Sequence, residues 1–367
     1  MEKKINLRCE NEDISYGSFG NHYRQQRMWE WIAEQEHDVL LCGPRQWNDE
    51  KYDVVKKKHF MRVPLGLTSF KGIFHYRMPQ LLEMIETFKP DALVCFEEPP
   101  SLFAFECMSY AKLFRVPWAV FTWENIPKVY NAFYRSIERE VLNEADLAIA
   151  GNSEAGRLLQ IKGVTEGIVL PQSGLDPELF RPLPAANKKR KRILYVGRLV
   201  PEKDIQGILI AYDQVVKKEI ENVELMFVGG RGNELEKIKK HPDYGKTVLW
   251  EPWKSYESLP EVYATADVIV YTSLDTPFWI EQWGAVCGEA LLCEKQVVAN
   301  IAGALPEYWK CDDTIFVAQG DRDMLGWAIV KALENPKVAK AGREHVKKNW
   351  SIEVVGAKYL KALEKII

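Results

Sequence analysis

The feature that most constrains this chain is a repeated alternation. Short apolar runs rich in β-branched and aromatic residues take turns with longer stretches of helical period, and the rhythm stops once near residue 180 before starting again. In the first half, the runs at 37–43, 91–96, 117–122, 146–150 and 168–171 predict strands, with helices over 21–36, 73–88, 101–114, 132–143 and 153–162. In the second half, strands are predicted at 192–197, 223–228, 247–250, 267–271, 296–300 and 314–317. The stretch 204–219 carries Ile205, Ile208, Leu209, Tyr212, Val215 and Val216 on one helical face. Strands that are apolar throughout, rather than alternating, belong to parallel sheets covered on both faces. Strands alternating with helices then imply right-handed βαβ units and a doubly wound sheet in each half.

The interruption reads GLDPELFRPLP at 174–184, followed by a basic run at 187–192. Proline density and charge mark a linker, and the basic run reads as its solvated end rather than as a nucleic-acid patch. A chain of 367 residues fits two domains of roughly 100–200 residues each. The expectation is an α/β protein with two Rossmann-like domains facing a cleft, 1–180 and 181–351. A C-terminal helix at 352–367, after a break at Trp350-Ser351, is expected to cross back to the first domain.

Composition narrows the function classes. The formal net charge is -3, so the chain as a whole is no polyanion binder. Its 7 cysteines form no CxxC and sit mostly in apolar runs, which fits reduced thiols better than a disulfide framework or a zinc site. The start, MEKKINLRCENED, has no apolar core of a signal peptide, and no apolar run approaches the ~18 residues of a membrane span. A cytoplasmic protein is expected, with any membrane contact peripheral and at the inner face. Residues 51–80 offer a surface for such contact: Lys51, Lys56, Lys57, Lys58, Arg62, Lys71 and Arg77 stand against Asp53 alone, interleaved with aromatics. A plain solvated surface is the other reading of that patch. The histidines show no HxH or HExxH spacing, and Asp321-Arg322-Asp323 is placed to cap a helix rather than to hold a metal. No metal and no nucleic-acid partner are expected.

Two constellations carry chemistry. Gly197-Arg198-Leu199-Val200-Pro201-Glu202-Lys203 links a predicted strand to a predicted helix. Such loops lie at the carboxyl edge of a parallel sheet, where open α/β folds bind ligands. Arg198 offers a fork, Lys203 a point charge, and the helix start adds N–H donors, a set suited to a diphosphate. Solvated cations on a loop are the alternative. Further on, Glu281 and Glu289 stand eight positions apart around Gly284-Ala285-Val286, where a loop opens into a helix. Both carboxylates could accept from sugar hydroxyls beside uncapped amides. Trp279 and Trp283 flank Glu281 as pocket walls would.

These motifs, with GALPE at 303–307, GLDPELFRP and ENVELMFVGGRG, resemble family 4 retaining glycosyltransferases in order and spacing. The resemblance covers about 174–351. It implies the two-domain GT-B fold and a nucleoside-diphosphate-sugar donor held by the C-terminal domain. It further implies Arg198 and Lys203 on the diphosphate, Glu281 on the transferring sugar and Glu289 on the ribose. Backbone at Gly284, Ala285 and Val286, with Gly197 and Gly229, would lie against the donor, and Trp253 near the base. Transfer would retain anomeric configuration without a metal or other cofactor, to a hydroxyl of a glycan or lipid-linked acceptor. In the first domain, the loop holding Gly17 and Gly20, the Glu97-Glu98 pair, and Glu124 and Asn125 are weaker candidates for the acceptor side. Thr122-Trp123-Glu124-Asn125 stands where such proteins often carry a histidine. Either Glu124 or Asn125 takes a polar role there, or the site works differently. A same-fold epimerase or glucan phosphorylase, and a catalytically degenerate nucleotide-sugar-binding protein, are the alternative readings.

Overall fold

Each half of the chain builds one twisted sheet, and the strand order of each decides where a ligand can sit. The computed structural model describes residues 4–10, 20–44, 46–47, 50–51, 53–66, 68–69, 76–184, 189–230, 232–336 and 338–367. The chain divides into two compact units, Met1–Gly174 with Ile352–Ile367, and Leu175–Ser351.

In the first unit, eight strands form the main sheet. They are β1 (Lys4–Glu10), β2 (Asp38–Pro44), β3 (Val55–Lys56), β4 (Phe60–Leu65), β5 (Ala92–Phe96), β6 (Trp118–Thr122), β7 (Leu147–Ala150) and β8 (Gly167–Val169). The order across the sheet is β8-β7-β6-β5-β1-β2-β4-β3. All neighbours are parallel except the β3–β4 edge pair. The second unit has β9 (Lys191–Val196), β10 (Val223–Val228), β11 (Val248–Glu251), β12 (Val268–Tyr271), β13 (Gln296–Asn300) and β14 (Thr314–Val317), in the order β11-β10-β9-β12-β13-β14. All its neighbours are parallel. Both sheets reverse their winding beside their first strand, so each has a switch point, β1/β5 and β9/β12. Crossover loops leave in opposite directions there and open a crevice at the carboxyl edge.

The apolar runs are buried on both faces as parallel strands must be: every residue of β5, β6, β7, β10, β12 and β13 is buried. In the second unit, Ile193, Tyr195, Leu225, Phe227, Val268 and Val270 pack under helices Ile205–Ala211 and Arg322–Glu334. Each such side chain contributes about 1.5–3 kcal/mol on leaving water. Ser351 breaks the final helical stretch with an extended backbone, and Ile352–Leu363 packs on Gly20–Glu34. Gly356 makes that approach possible, because a Cβ there would come 2.7 Å from the Trp31 ring.

Several expectations need correction. The helix expected over 73–88 is a helix only at Leu81–Phe88, after a short strand Tyr76–Arg77; 73–75 lie outside the described residues. Pro79 bars the residue before it from helical geometry and delays the start. β3 and β4 run through the basic patch, where Arg62 and Pro64 hide the apolar pattern of a strand. The helix 204–219 is interrupted by a π-turn at Tyr212–Val216. The segment 175–180, read as a linker, is packed into the second unit. Arg343 donates to the carbonyls of Phe180 (2.9 Å) and Pro177 (3.2 Å), and Phe180 lies edge-on to Tyr256 and Tyr263.

Candidate functional site

The switch point of the second sheet gathers the residues singled out in its sequence. β9 ends at Val196, and the chain passes Gly197 and Arg198 to a 3-10 turn, Pro201–Lys203. Asp204 follows in a left-handed conformation and caps helix Ile205–Ala211 by accepting from Gly207 N at 3.0 Å. β12 ends at Tyr271, and two of the next three residues pin the turn. Thr272 Oγ1 donates to Lys203 O (2.7 Å), and Leu274 N to Glu202 O (2.9 Å). This pinning turns Lys203 into the sheet edge, where it is only 4% exposed.

Lys203 does not stand alone there. Its ammonium pairs with Glu281 and donates to Tyr271 Oη (2.7 Å) and Ser273 Oγ (3.0 Å). The two hydroxyls in turn donate to Glu281 Oε2, at 3.0 and 2.6 Å. Glu281 is held from behind through its backbone: Ala304 N donates to its carbonyl at 2.9 Å, and a Cβ at Gly303 would strike that carbonyl oxygen at 2.0 Å. The GALPE stretch therefore braces Glu281. Burial pushes the Glu281 carboxyl up, but Lys203 and the two hydroxyls outweigh it and hold the group at about 2. Burial likewise lowers the Lys203 ammonium, against the pull of Glu281. Arg198 comes to the same place through Trp279, whose ring lies 5.3 Å from both the Arg198 guanidinium carbon and Lys203 Nζ. So Arg198, Lys203 and Glu281 form one cluster. Tyr271 and Ser273, which sequence reasoning missed, complete it. Their signal is placement alone: both follow from the end of a switch-point strand.

Gly284 precedes helix Ala285–Leu292 with φ 63, and no side chain caps that helix. A side chain at Gly284 would meet Leu305 Cδ2 at 2.2 Å. The amides of Ala285 and Val286 thus open the helix, in the first turn where N–H groups lack intrahelical acceptors. Glu289 is fully buried in that helix and accepts from Tyr263 Oη at 2.8 Å. It belongs to a separate hydrogen-bonded pair, not to the Lys203–Glu281 cluster. At the helix end, Glu294 takes the left-handed conformation (φ 57) that glycine usually supplies. Gly229, after β10, lies against Gly197: a Cβ there would fall 1.8 Å from the Gly197 carbonyl oxygen. Trp250 Nε1 donates to Gly229 O (3.0 Å), and Trp253, 37% exposed, follows β11 at the same edge.

In the first unit, Gly17 lies outside the described residues and Gly20 opens helix Gly20–Glu34. Glu97, Glu124 and Asn125 are buried at the ends of β5 and β6. Helix Leu102–Phe114 is capped by Ser101, which accepts from Ala104 N at 3.0 Å and donates its own N–H to Glu98 O at 2.9 Å. Glu98 emerges instead as the brace between strands. Its carboxylate accepts from Thr122 Oγ1 (2.5 Å) and Trp123 N (2.9 Å). Glu124 accepts from Lys162 (2.6 Å) and Tyr130, and Lys162 also meets Glu138 at 2.7 Å. Burial, with Glu124 nearby, raises Glu98 to about 7 despite Lys128 and its two donors. A carboxyl raised from 4.5 favours the fold most below its unfolded value and loses that contribution as pH rises through about 7. Glu98→Gln, which copies the protonated form, is expected to remove this fall. Melting scans from pH 5 to 8 on both proteins test it, and parallel curves would count against the assignment.

Other features resolve more simply. Asp321 caps helix Arg322–Glu334 by accepting from Met324 N at 3.0 Å, as its sequence position predicts. In the basic patch, Lys57 pairs with Glu30 (2.8 Å), Arg62 donates to Gln26 (3.0 Å) and Arg77 pairs with Glu106 (3.1 Å); Lys71 lies outside the described residues. Among the described residues, no helix is long and apolar enough to cross a membrane. Asp213, His241 and Asp243 form a metal-like group among those residues, but Lys217 already meets both carboxylates.

Comparison with known proteins agrees with this fold. Residues 177–349 match the family described as "Glycosyl transferases group 1", and residues 20–171 match "Glycosyl transferase 4-like domain". A relative from Corynebacterium glutamicum is named GDP-mannose-dependent monoacylated alpha-(1-6)-phosphatidylinositol monomannoside mannosyltransferase. It is 26% identical over 213 residues, 52% of this chain and 55% of its own. O-antigen chain mannosyltransferase B of Escherichia coli is 30% identical over 146 residues, 39% of this chain and 36% of its own. The chain thus aligns with about half or less of each relative's length. Among solved structures, sucrose-phosphate synthase from Thermosynechococcus elongatus superposes with a TM-score of 0.73 at 19% identity, covering 99% of both chains. Two doubly wound sheets, two glycosyltransferase matches covering most of the sequence and a full-length structural likeness place this chain in the GT-B glycosyltransferase superfamily.

Proposed function

We propose that this protein is a retaining, metal-independent glycosyltransferase. It moves a hexose-type sugar from a nucleoside-diphosphate-sugar to a hydroxyl of a glycan or lipid-linked acceptor. The observation that carries the reading is the cluster of Arg198, Lys203 and Glu281 at the β9/β12 switch point. The mannosyltransferase relatives support a nucleotide-linked hexose as donor and a glycan or glycolipid as acceptor.

The chemistry asks for two things. Negative charge builds on the departing diphosphate, and positive charge builds on the sugar ring. Arg198, Lys203 and the helix start after Gly284 answer the first by preorganised electrostatics. Glu281, ionised at any physiological pH because its carboxyl is held at about 2, accepts from sugar hydroxyls and offsets ring charge. Glu289 binds ribose hydroxyls, while Gly197, Gly229 and Trp253 line the nucleotide edge. In this mechanism a phosphate oxygen of the leaving group takes the acceptor proton, so no side chain serves as base. Two protein cations take the place a divalent ion would fill on the diphosphate. In the first unit, Glu97, Glu124 and Asn125 are assigned to the acceptor side. The 51–80 patch serves peripheral contact with an anionic membrane.

The test is a thermal-shift screen against UDP-, GDP-, ADP- and CMP-sugars, followed by product analysis with the sugar that stabilises. At a ligand concentration of 100 Kd, stabilisation of about 2.7 kcal/mol is expected. Transfer with retained configuration should persist in excess EDTA. No shift with any sugar nucleotide would overturn the donor reading. Complete loss in EDTA, restored by a divalent ion, would overturn metal independence. Turnover of the donor without an acceptor would identify an epimerase, and a need for inorganic phosphate would identify a phosphorylase.

A further inference from the structure

We propose that Trp279 is a positioning residue for the donor diphosphate: its indole face holds the Arg198 guanidinium flat and presents that group's N–H edge to phosphate oxygens. The proposal rests on the reading of this site as one for a nucleoside-diphosphate-sugar.

The turn that carries Trp279 lies between the end of β12 and Glu281. It is closed by Thr276 N donating to Trp279 O (2.7 Å) and Trp279 N donating to Thr276 O (3.3 Å). Its base is clamped to the neighbouring loops. Asp275 N donates to Gln319 Oε1 (2.7 Å), while Gln319 Nε2 donates to Asp275 Oδ2 and to Ile301 O, both at 2.8 Å. Gly303 N also donates to Asp275 Oδ2, at 3.1 Å. A turn fixed this way has one aromatic facing each side. Phe278 is 85% exposed, whereas Trp279 is 6% exposed and turned inward. The inward ring meets two cations, with Arg198 Cζ and Lys203 Nζ each 5.3 Å from its centroid.

A tryptophan placed only to fill a core would be surrounded by apolar groups. Here its face is spent on cations, which the ring quadrupole attracts most strongly where water is excluded. Stacking uses the face of a guanidinium, and hydrogen bonding uses its edge, so the two do not compete. Lys203 is fixed independently by Glu281, Tyr271 and Ser273. Arg198 is the cation with a planar group that an aromatic face can align. Because the turn is tied to Asp275 and Gly303, the same loops that brace Glu281 also set the height of Arg198 over the site.

The experiment compares Trp279→Leu, which keeps apolar volume without a π face, with Trp279→Phe, which keeps a ring. Each is made in the wild-type chain and in an Arg198→Lys background. Calorimetric titration with UDP and with GDP supplies the dissociation constants. For the nucleotide that wild type binds, W279L is expected to weaken affinity about tenfold and W279F no more than about threefold. In the R198K background, which lacks the planar group, W279L should cost less than about threefold. The proposal is overturned if W279L binds as wild type, if W279F loses as much as W279L, or if the loss is the same in both backgrounds. A wild-type chain that binds neither UDP nor GDP refutes the donor reading, and this proposal with it. If wild type binds, only the variants decide, so the two failures are distinguishable.

Discussion

Lys203→Met is expected to do more damage than any other single change at this site, and to reverse the protein's response to acid. Methionine keeps the length of lysine without its charge. It leaves the Glu281 carboxylate, 4% exposed, with the hydroxyls of Tyr271 and Ser273 but without its ammonium partner. Removing one partner of a buried ion pair costs about 3–5 kcal/mol, because the other charge stays buried without compensation. At about 2–4 °C per kcal/mol for a unit of this size, melting should fall by roughly 6–20 °C. The sign of the pH dependence carries more information. In wild type, the Glu281 carboxyl is depressed from 4.5 to about 2, so its contribution is present above 4.5 and lost as pH falls toward 2. Without Lys203, burial dominates and raises the group above its unfolded value. Its contribution is then largest at low pH and is lost as pH rises. Melting curves between pH 3 and 8 should slope oppositely for the two proteins in the acid range. K203M/E281Q should regain most of the stability and none of the transferase activity. A K203M protein that melts and titrates like wild type would show that the pair does not govern the site.

That pair was half legible in the sequence. Its two residues stand out by type and by position on switch-point loops, and the resemblance assigned each a ligand, phosphate for Lys203 and sugar for Glu281. Their contact with each other is a tertiary fact, set by Thr272 and Leu274 pinning the Pro201–Lys203 turn and by Ala304 bracing Glu281. No local pattern encodes those distances. The strands were readable for a physical reason: parallel strands are apolar on both faces and do not depend on a partner to be recognised. β4 was not, because a strand with Arg62 and Pro64 near a sheet edge looks like surface. The end of β5 shows a finer limit. Sequence offers Glu97 and Glu98 equally, and only the hydrogen bonds from Thr122 and Trp123 separate the brace from its neighbour. Where chemistry follows chain order, as from Gly197 to Lys203, the sequence carries it. Where it depends on which of two adjacent side chains meets the neighbouring strand, packing decides.

Arg198→Ala should spare the fold and remove the reaction, the opposite balance from Lys203. Arg198 is half-buried on the loop after Gly197, with its guanidinium against Trp279. Because the side chain is only half-buried, truncating it should change stability by no more than about 1 kcal/mol. Ground-state binding loses one charged fork. The Kd for the bound nucleoside diphosphate should rise tenfold or more, which is ~1.4 kcal/mol. The loss in turnover should be larger, because charge on the diphosphate grows as the sugar bond breaks. Removal of one preorganised donor typically costs about 10²–10³ in rate. Turnover should therefore fall further than affinity, the pattern of an interaction strengthened in the transition state. Arg198→Lys should recover part of the affinity but less of the rate, since an ammonium has neither the fork nor a plane to stack. Titration and steady-state kinetics on wild type, R198A and R198K separate these quantities. Unchanged nucleotide affinity in R198A would remove Arg198 from the diphosphate site. A fall in affinity with turnover unchanged would make it a binding residue without a part in the chemical step. With Lys203→Met, the comparison divides the work of two cations that share one tryptophan ring. On the proposed mechanism, Lys203, paired with Glu281, sets the stability and charge state of the site, and Arg198, beside Trp279, meets the charge that develops on the leaving group.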